Sequence, residues 1–466
     1  RKKSVLMAPT GRAAKVLSAY AGKNAMTIHK KIYFSKADSG GGSVQFTLKE
    51  NKHTHTVFIV DESSMIGDDR QQSKLFENGS LLHDLIKYVA NGEKCKLIFV
   101  GDTAQLPPVN LVLSPALDEY ELGRYFNAKV YTVMLEDVVR QKVESGILFN
   151  ATRIRELLLK DQFQGFKFRL DGFKDVKQII EGNEFLELLS NSLDEDGIDQ
   201  TVLIVHSNKR ANLYNKSIRE RLLFLESDLA EGDQLMVVKN NYFWLGADSQ
   251  PGFIANGDVI KIIRIKKYVD RYDMKFAEVS IQMVDYPSEP VFDTVLLLET
   301  LNSETANLGY EQSQLLYQKV SLDYANEKSK YKRFLKVKND PYFNALQVKF
   351  AYAITCHKAQ GGQWKNVFIE QGYLTEDKLD KEYLRWLYTA FTRAIDKVYL
   401  IGFKPNFFTI TFENRIPKIT TTINKNNKKA KFNETLQVIP KVSKLKNITN
   451  SKGLFTGFLN LTIDKA

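Results

Sequence analysis

The sequence predicts an α/β protein built on parallel sheets, with a β-rich insertion, and three observations carry that prediction. Short apolar runs at Ser4–Ala8, Val57–Val60 and Lys96–Val100 each end at polar or small residues, the signature of strands buried on both faces. Stretches with helical periodicity, Arg12–Tyr20 and Gln71–Ala90, lie between them, and strand–helix–strand alternation builds parallel sheets. From about Asp233 to Leu346 the texture changes to shorter strands, Gln234–Lys239, Asp258–Lys266 and Phe276–Val284. The length of 466 residues and the apolar share of 43% allow two to four packed domains.

Taken in order, the first α/β region spans 1–134. It is interrupted at about 32–56, where Ser39-Gly40-Gly41-Gly42-Ser43 separates two strand-like runs and predicts an inserted β-hairpin. A second α/β region starts near Leu135, with a strand at Thr201–His206 and a helix at Lys209–Glu226. It spans 135–232 and resumes at 347–405 through Val348–Ile354 and Val398–Gly402. The block between, 233–346, reads as a small β-barrel-like insertion with a charged helical arm, Tyr310–Arg333. Residues 406–466 form a basic appendage without clear periodicity, and no internal repeat is present.

Bulk charge is a poor guide here. The chain carries a net +11, but eleven Lys/Arg and two acids follow from Arg415 onward, so the body retains only +2. A basic tail offers salt-dependent affinity for nucleic acid or is a solvated appendage. Two distant cysteines, Cys95 and Cys356, make no disulfide framework or zinc spacing, which fits a reducing, cytoplasmic setting. No apolar run is long enough for a membrane span. The chain opens on Arg1, and we expect it to be cut from something longer.

The chemistry collects at strand ends, where parallel sheets bind ligands. Val57–Val60 runs into Asp61-Glu62-Ser63-Ser64-Met65. Adjacent carboxylates there suit a nucleotide hydrolase: Asp61 holds Mg²⁺ and Glu62 activates the attacking water. Lys96–Val100 runs into Gly101-Asp102-Thr103-Ala104-Gln105-Leu106-Pro107-Pro108-Val109, placing Gln105 where its amide can sense a γ-phosphate. Cys356 and His357 are neighbours on what reads as a strand, so they face opposite sides and form no catalytic dyad.

These two segments resemble motifs II and III of superfamily 1 DNA helicases of the RecD/Dda type, and four more motifs follow the family order. Ala8-Pro9-Thr10-Gly11-Arg12-Ala13-Ala14 is similar to motif Ia, with Thr27-Ile28-His29-Lys30 just after it. Leu135-Glu136-Asp137-Val138-Val139-Arg140-Gln141 resembles motif IV, Thr355-Cys356-His357-Lys358-Ala359-Gln360-Gly361 motif V, and Tyr388-Thr389-Ala390-Phe391-Thr392-Arg393-Ala394 motif VI. The resemblance covers roughly residues 4–404. It implies two RecA-like lobes, the hairpin in the first and an SH3-like barrel in the second, and a motor that hydrolyses ATP with Mg²⁺ while moving 5′–3′ on single-stranded DNA. Single-stranded DNA and junctions of single and double strands are the implied partners.

The resemblance also assigns residues. Asp61 is the metal ligand. Asp61, Glu62, Gln105, Arg140 and Arg393 are catalytic, the two arginines reaching across the cleft as fingers. Gln360 and Gly361 bind the nucleotide. Pro9, Thr10, Arg12, Thr27, His29, Phe46, Ser207, Asn208, Thr355 and His357 contact DNA. Phe46 in the hairpin is either a wedge that stacks on the first base pair, worth about 1–3 kcal/mol per base, or an anchor for the hairpin. One part is missing: no Gly-x-x-x-x-Gly-Lys-Ser/Thr occurs, and Gly22-Lys23 is followed by Asn24. The expectation is a phosphate cradle upstream of Arg1 and weak ATP binding by these residues alone. The alternative is a helicase-fold DNA-binding or scaffold protein without ATPase activity.

Overall fold

The computed structural model describes residues 3–37, 44–68, 79–126, 129–135, 145–246, 249, 251–374, 379–409 and 458–460. Strand β1 (Lys3–Ala8) leads into α1 (Gly11–Ala21), β2 (Ala25–Thr27) and α2 (Ile28–Ile32). The hairpin follows as β3 (Tyr33–Ala37) and β4 (Val44–Leu48), antiparallel with Tyr33 opposite Leu48. The Tyr33 hydroxyl fixes its base by donating to buried Asp84 at 2.7 Å. Next come β5 (Thr56–Val60), α3 (Leu81–Ala90), β6 (Lys96–Gly101), α4 (Glu119–Phe126) and β7 (Thr132–Val133). Of the predicted helix Gln71–Ala90, residues 71–78 lie outside the described residues; α3 begins after Ser80, whose hydroxyl caps His83 N.

Strands β2, β1, β5 and β6 pair in parallel in that order. The core beneath them holds Met7, Ile32, Phe58, Leu85 and Phe99, all fully buried.

The second lobe contributes α5 (Gly146–Leu159), β8 (Val176–Ile179), α6 (Gly182–Asp196), β9 (Thr201–Val205) and α7 (Asn208–Arg221). In β9, Val202 and Ile204 enter one core and Leu203 and Val205 another. Helices cover both faces, which is why the strand reads as unbroken apolar sequence.

The barrel is closed by β10 (Gln234–Val237), β11 (Val259–Arg271), β12 (Met274–Met283), β13 (Phe292–Leu297) and β14 (Leu346–Phe350). The predicted helix Tyr310–Arg333 is two helices, α8 (Tyr310–Asp323) and α9 (Lys330–Lys338), which pack Leu316, Val320 and Val337 on Phe276 and Leu297 of the barrel. The predicted strand Val348–Ile354 also splits. Its first half is β14; its second is β15 (Ala353–Thr355), which pairs in parallel with β9. One apolar run therefore serves two sheets, a division that periodicity alone does not mark.

The chain then forms α10 (Cys356–Ala359), β16 (Trp364–Glu370), α11 (Lys381–Phe391) and β17 (Ala394–Ile401). The second sheet is parallel throughout, in the order β15-β9-β16-β17-β8. Cys356 and His357 lie on a helix, not on a strand as expected, and the Cys356 thiol is buried against Trp386 O. From the tail, β18 (Phe458–Asn460) lies antiparallel between β6 and β7. Among the described residues no helix is long and apolar enough to cross a membrane.

Candidate active site

The carboxyl ends of β5 and β6 open into a cleft facing α5 and the end of α11. Strand β5 ends as Asp61 N donates to Met7 O at 2.9 Å, and Asp61 Oδ1 then accepts Glu62 N at 2.9 Å. Glu62 adopts the left-handed conformation, φ 51° and ψ 38°, which costs a non-glycine residue on the order of 1 kcal/mol. Buried Ser114 supports the turn beyond, donating to Ser63 O or Ile66 O, each at 2.7 Å. Gly101 is required: a Cβ would sit 2.8 Å from Leu117 and 2.9 Å from Ser64 N.

After β6, Asp102 Oδ1 accepts Ala104 N at 3.0 Å and its Oδ2 accepts the Tyr388 hydroxyl at 2.6 Å. Burial, with the nearby Asp102 carboxylate, raises the Tyr388 phenol well above its ordinary range, so it stays a donor. Gln105 lines the cleft with its Oε1 buried and unpartnered. A buried orphan acceptor is expensive, and a bound water or hydroxylated ligand relieves it.

Arg393 meets these residues from the other lobe. It is 3% exposed, donates from Nε to Thr389 O at 3.0 Å, and holds Nη1 4.0 Å from Glu62 Oε1. The lobes are stitched just behind. Leu106 N donates to Thr389 Oγ1 at 2.8 Å, and Gln360 Nε2 donates to Leu106 O at 2.6 Å. Helix α5 lines the cleft with Ile147, Ala151 and Arg155, one helical stripe.

A separate groove is lined by Thr10, Arg12, Ser207, Asn208, Thr355 and His357, joined by Asn256 and Lys358. Thr10 and Ser207 cap α1 and α7 by accepting Ala13 N and Arg210 N, each at 3.2 Å, so the N-termini of two full-length helices open on it. Such termini attract anions. Burial lowers the Lys358 pKa to about 8, helped by Lys349, and its ammonium donates to Asn256 Oδ1. Burial also lowers that of His357, with Glu382 opposing.

The predicted residues divide between these places. Asp61, Glu62, Gln105, Arg393 and Gly361 line the cleft; Gln360, expected beside the nucleotide, lines the groove and bonds Leu106. Pro9 adjoins Thr10 but is not among the residues lining the groove. Thr27 is buried and caps α2 through Lys30 N. His29 packs between Tyr33 and Phe253, and burial holds its pKa down near 4, so it is neutral at pH 7 and away from the groove. Arg140 and the side chain of Phe46 lie outside the described residues. Sequence reasoning missed Arg155, Thr389 and Lys358. Arg155 could have been found as the charged end of the apolar stripe Ile147, Ala151.

Two family models match: an AAA domain over residues 1–111 and a UvrD-like helicase C-terminal domain over 350–401. An uncharacterized protein of Methanocaldococcus jannaschii is 26% identical over 425 residues, 86% of this chain. The chain spans about a third of that relative's length, 34%. The ATP-dependent RecD2 DNA helicase of Deinococcus radiodurans is 34% identical over 149 residues, 31% of this chain and 16% of the relative. A Pif1 helicase from Bacteroides, crystallised with ADP-AlF3 and single-stranded DNA, has 16% identity and a TM-score of 0.41, covering 88% of this chain and 85% of its own.

Proposed function

We propose, from the similarity of residues 1–111 and 350–401 to an AAA domain and a UvrD-like helicase C-terminal domain, that this chain is a superfamily 1 helicase of the RecD type and the hydrolytic and DNA-gripping part of an ATP-dependent motor on single-stranded DNA. The carrying observation is the meeting in one cleft of Asp61, Glu62 and Gln105 from one sheet with Arg393 from the other. The cleft suits a metal-bound triphosphate and an attacking water: the orphan Gln105 oxygen can accept from the water, and adjacent carboxylates and a guanidinium face the same space. Among the described residues no cluster of three or more His, Cys, Asp or Glu holds a metal by itself. Mg²⁺ commonly takes one or two protein carboxylates and completes its shell with water and phosphate. Asp61 would be that ligand, and a Mg²⁺ bound with the nucleotide would neutralise charge on the transferable phosphoryl group.

Glu62 takes the proton of the attacking water, Gln105 orients that water, and Arg393 stabilises charge on the phosphate, with Arg140 as a second finger. Arginine fingers contribute about 10³–10⁵ in rate. Because Arg393 and Glu62 sit on different lobes, nucleotide draws the lobes together and product lets them part. Thr10, Arg12, Ser207, Asn208, Thr355 and His357 hold the DNA backbone, and movement runs 5′–3′ by family analogy. The lobes are 1–134 and 135–232 with 347–405, the barrel 233–346.

The absence of Gly-x-x-x-x-Gly-Lys-Ser/Thr from these 466 residues favours a second reading, a DNA-binding scaffold without hydrolysis. Hydrolysis at millimolar ATP and Mg²⁺, with and without oligothymidylate, separates the two. Stimulated turnover that Glu62→Gln and Arg393→Ala abolish supports the motor. DNA binding with no turnover even where ATP is shown to saturate the cleft supports the scaffold and defeats the motor reading for this chain.

A further inference from the structure

Helix α1 borders three spaces at once. Thr10 and Arg12 face the groove, Ala13 and Val16 the cleft, and Arg12 and Lys15 a third cavity toward the barrel. In that third cavity the barrel sets the Asp285 carboxylate against α1. Asp285 Oδ2 lies 3.6 Å from Arg12 Nε, and its Oδ1 lies 3.7 Å from Lys15 Nζ. The Arg12 guanidinium sits 4.8 Å from the centre of the Trp364 ring. Asp258 and Tyr286 press so closely on Gly11 that a Cβ there would meet Asp258 Oδ1 at 2.7 Å and the Tyr286 hydroxyl at 2.9 Å. Asp258 Oδ1, Asp285 Oδ2 and Arg12 Nη1 are all buried without a hydrogen-bond partner. The cluster is charged, buried and incompletely bonded, an arrangement that a better partner can undo.

The same residues reach the groove. Arg12 lines both spaces, and Asp258 directly follows Asn256 and Gly257, the barrel turn that lines the groove. We propose that Arg12 is a shared cation: Asp285 holds it, and with it the barrel against α1, until a polyanionic strand in the groove takes the guanidinium. A phosphate offers the bonded, bidentate partner that Asp285 at 3.6 Å does not. Strand entry thereby releases the barrel turn from α1, while Phe253 against His29 and the Lys30 ammonium on Ser249 O still tie the barrel loop to the first lobe. The release step rests on the DNA-binding reading; the latch does not.

The test is a pulsed electron-spin distance measurement on the full chain, with labels at Lys52→Cys and Arg264→Cys, both exposed, in a Cys95→Ser background. Without DNA the parent gives one narrow distribution. Asp285→Asn, close to isosteric, adds a broad longer population, and the swap Arg12→Asp with Asp285→Arg returns the parent distribution. An unchanged distribution in Asp285→Asn, or loosening that the swap leaves in place, overturns the latch. Adding oligothymidylate shifts the parent toward the Asp285→Asn distribution, and Asp285→Asn binds fluorescein-labelled oligothymidylate several-fold more tightly. That gain vanishes in an Arg12→Ala background. A gain that persists there comes from general loss of negative charge and overturns the sharing of Arg12. No oligothymidylate binding in any variant overturns the release step together with the DNA reading, while the DNA-free distances still decide the latch.

Discussion

Glu62 combines two roles that pull against each other. Its carboxylate is the proposed base, and its backbone sits at φ 51°, where glycine is at ease and glutamate is not. Glu62→Gly is expected to abolish hydrolysis and to stabilise the chain by up to about 1 kcal/mol; an unchanged or lower thermal midpoint would falsify the strain argument. Asp258 gives a pH dependence. Burial, with Asp285 nearby, lifts its pKa from 3.8 to about 7 despite the Ala255 N–H and Arg12. The folded state therefore keeps a proton that the unfolded chain loses near pH 4. Stability from this group is full below about pH 4 and declines as pH rises through 7, by on the order of 4 kcal/mol. The groups facing it are Arg12, Asp285 and Tyr286, with Lys15 on the far side of Asp285. Asp258→Asn keeps an acceptor for Ala255 N and removes the titration. Its unfolding midpoint should exceed the parent's at pH 8 and approach it at pH 5.

At the scale of elements, the loop after β6 is where the lobes meet. Thr389→Val leaves the buried Leu106 N–H without its 2.8 Å acceptor, a loss of about 1–3 kcal/mol. Denaturant titration measures that loss, and a change under 0.5 kcal/mol would show that the loop re-pairs elsewhere. The sequence announced this loop by its glycine and prolines and announced both carboxylate-bearing strand ends by apolar runs, because burial on two faces leaves only apolar positions. It did not announce that Gln360 turns from the cleft to Leu106, or that Thr389 is an acceptor. Those roles depend on how two distant segments approach, and local pattern carries no such information. Thr27 and His29 mislead for the same reason. Their short polar segment follows a strand, as a phosphate contact does, yet His29 packs its ring against Phe253 from the barrel loop.

For the whole molecule, cleft and groove share walls in α1 and in the segment from Thr355 to Gln363. If nucleotide tightens the hold on oligothymidylate by some factor, oligothymidylate must tighten nucleotide by the same factor. Titrations in both orders check this, and unequal factors would mean that the ligands meet different states of the chain. The 4.0 Å approach of Arg393 to Glu62 has one more consequence. At rest the cleft is its own counter-ion: the positive charge of Arg393 is answered by the Glu62 carboxylate. A bare polyphosphate can satisfy Arg393 only by stranding Glu62 and Asp61 beside its own negative charge. A polyphosphate already carrying a divalent cation replaces both partners in a single exchange. On the proposed nucleotide reading, this resting charge pattern favours the metal-loaded form of a polyphosphate over the metal-free form.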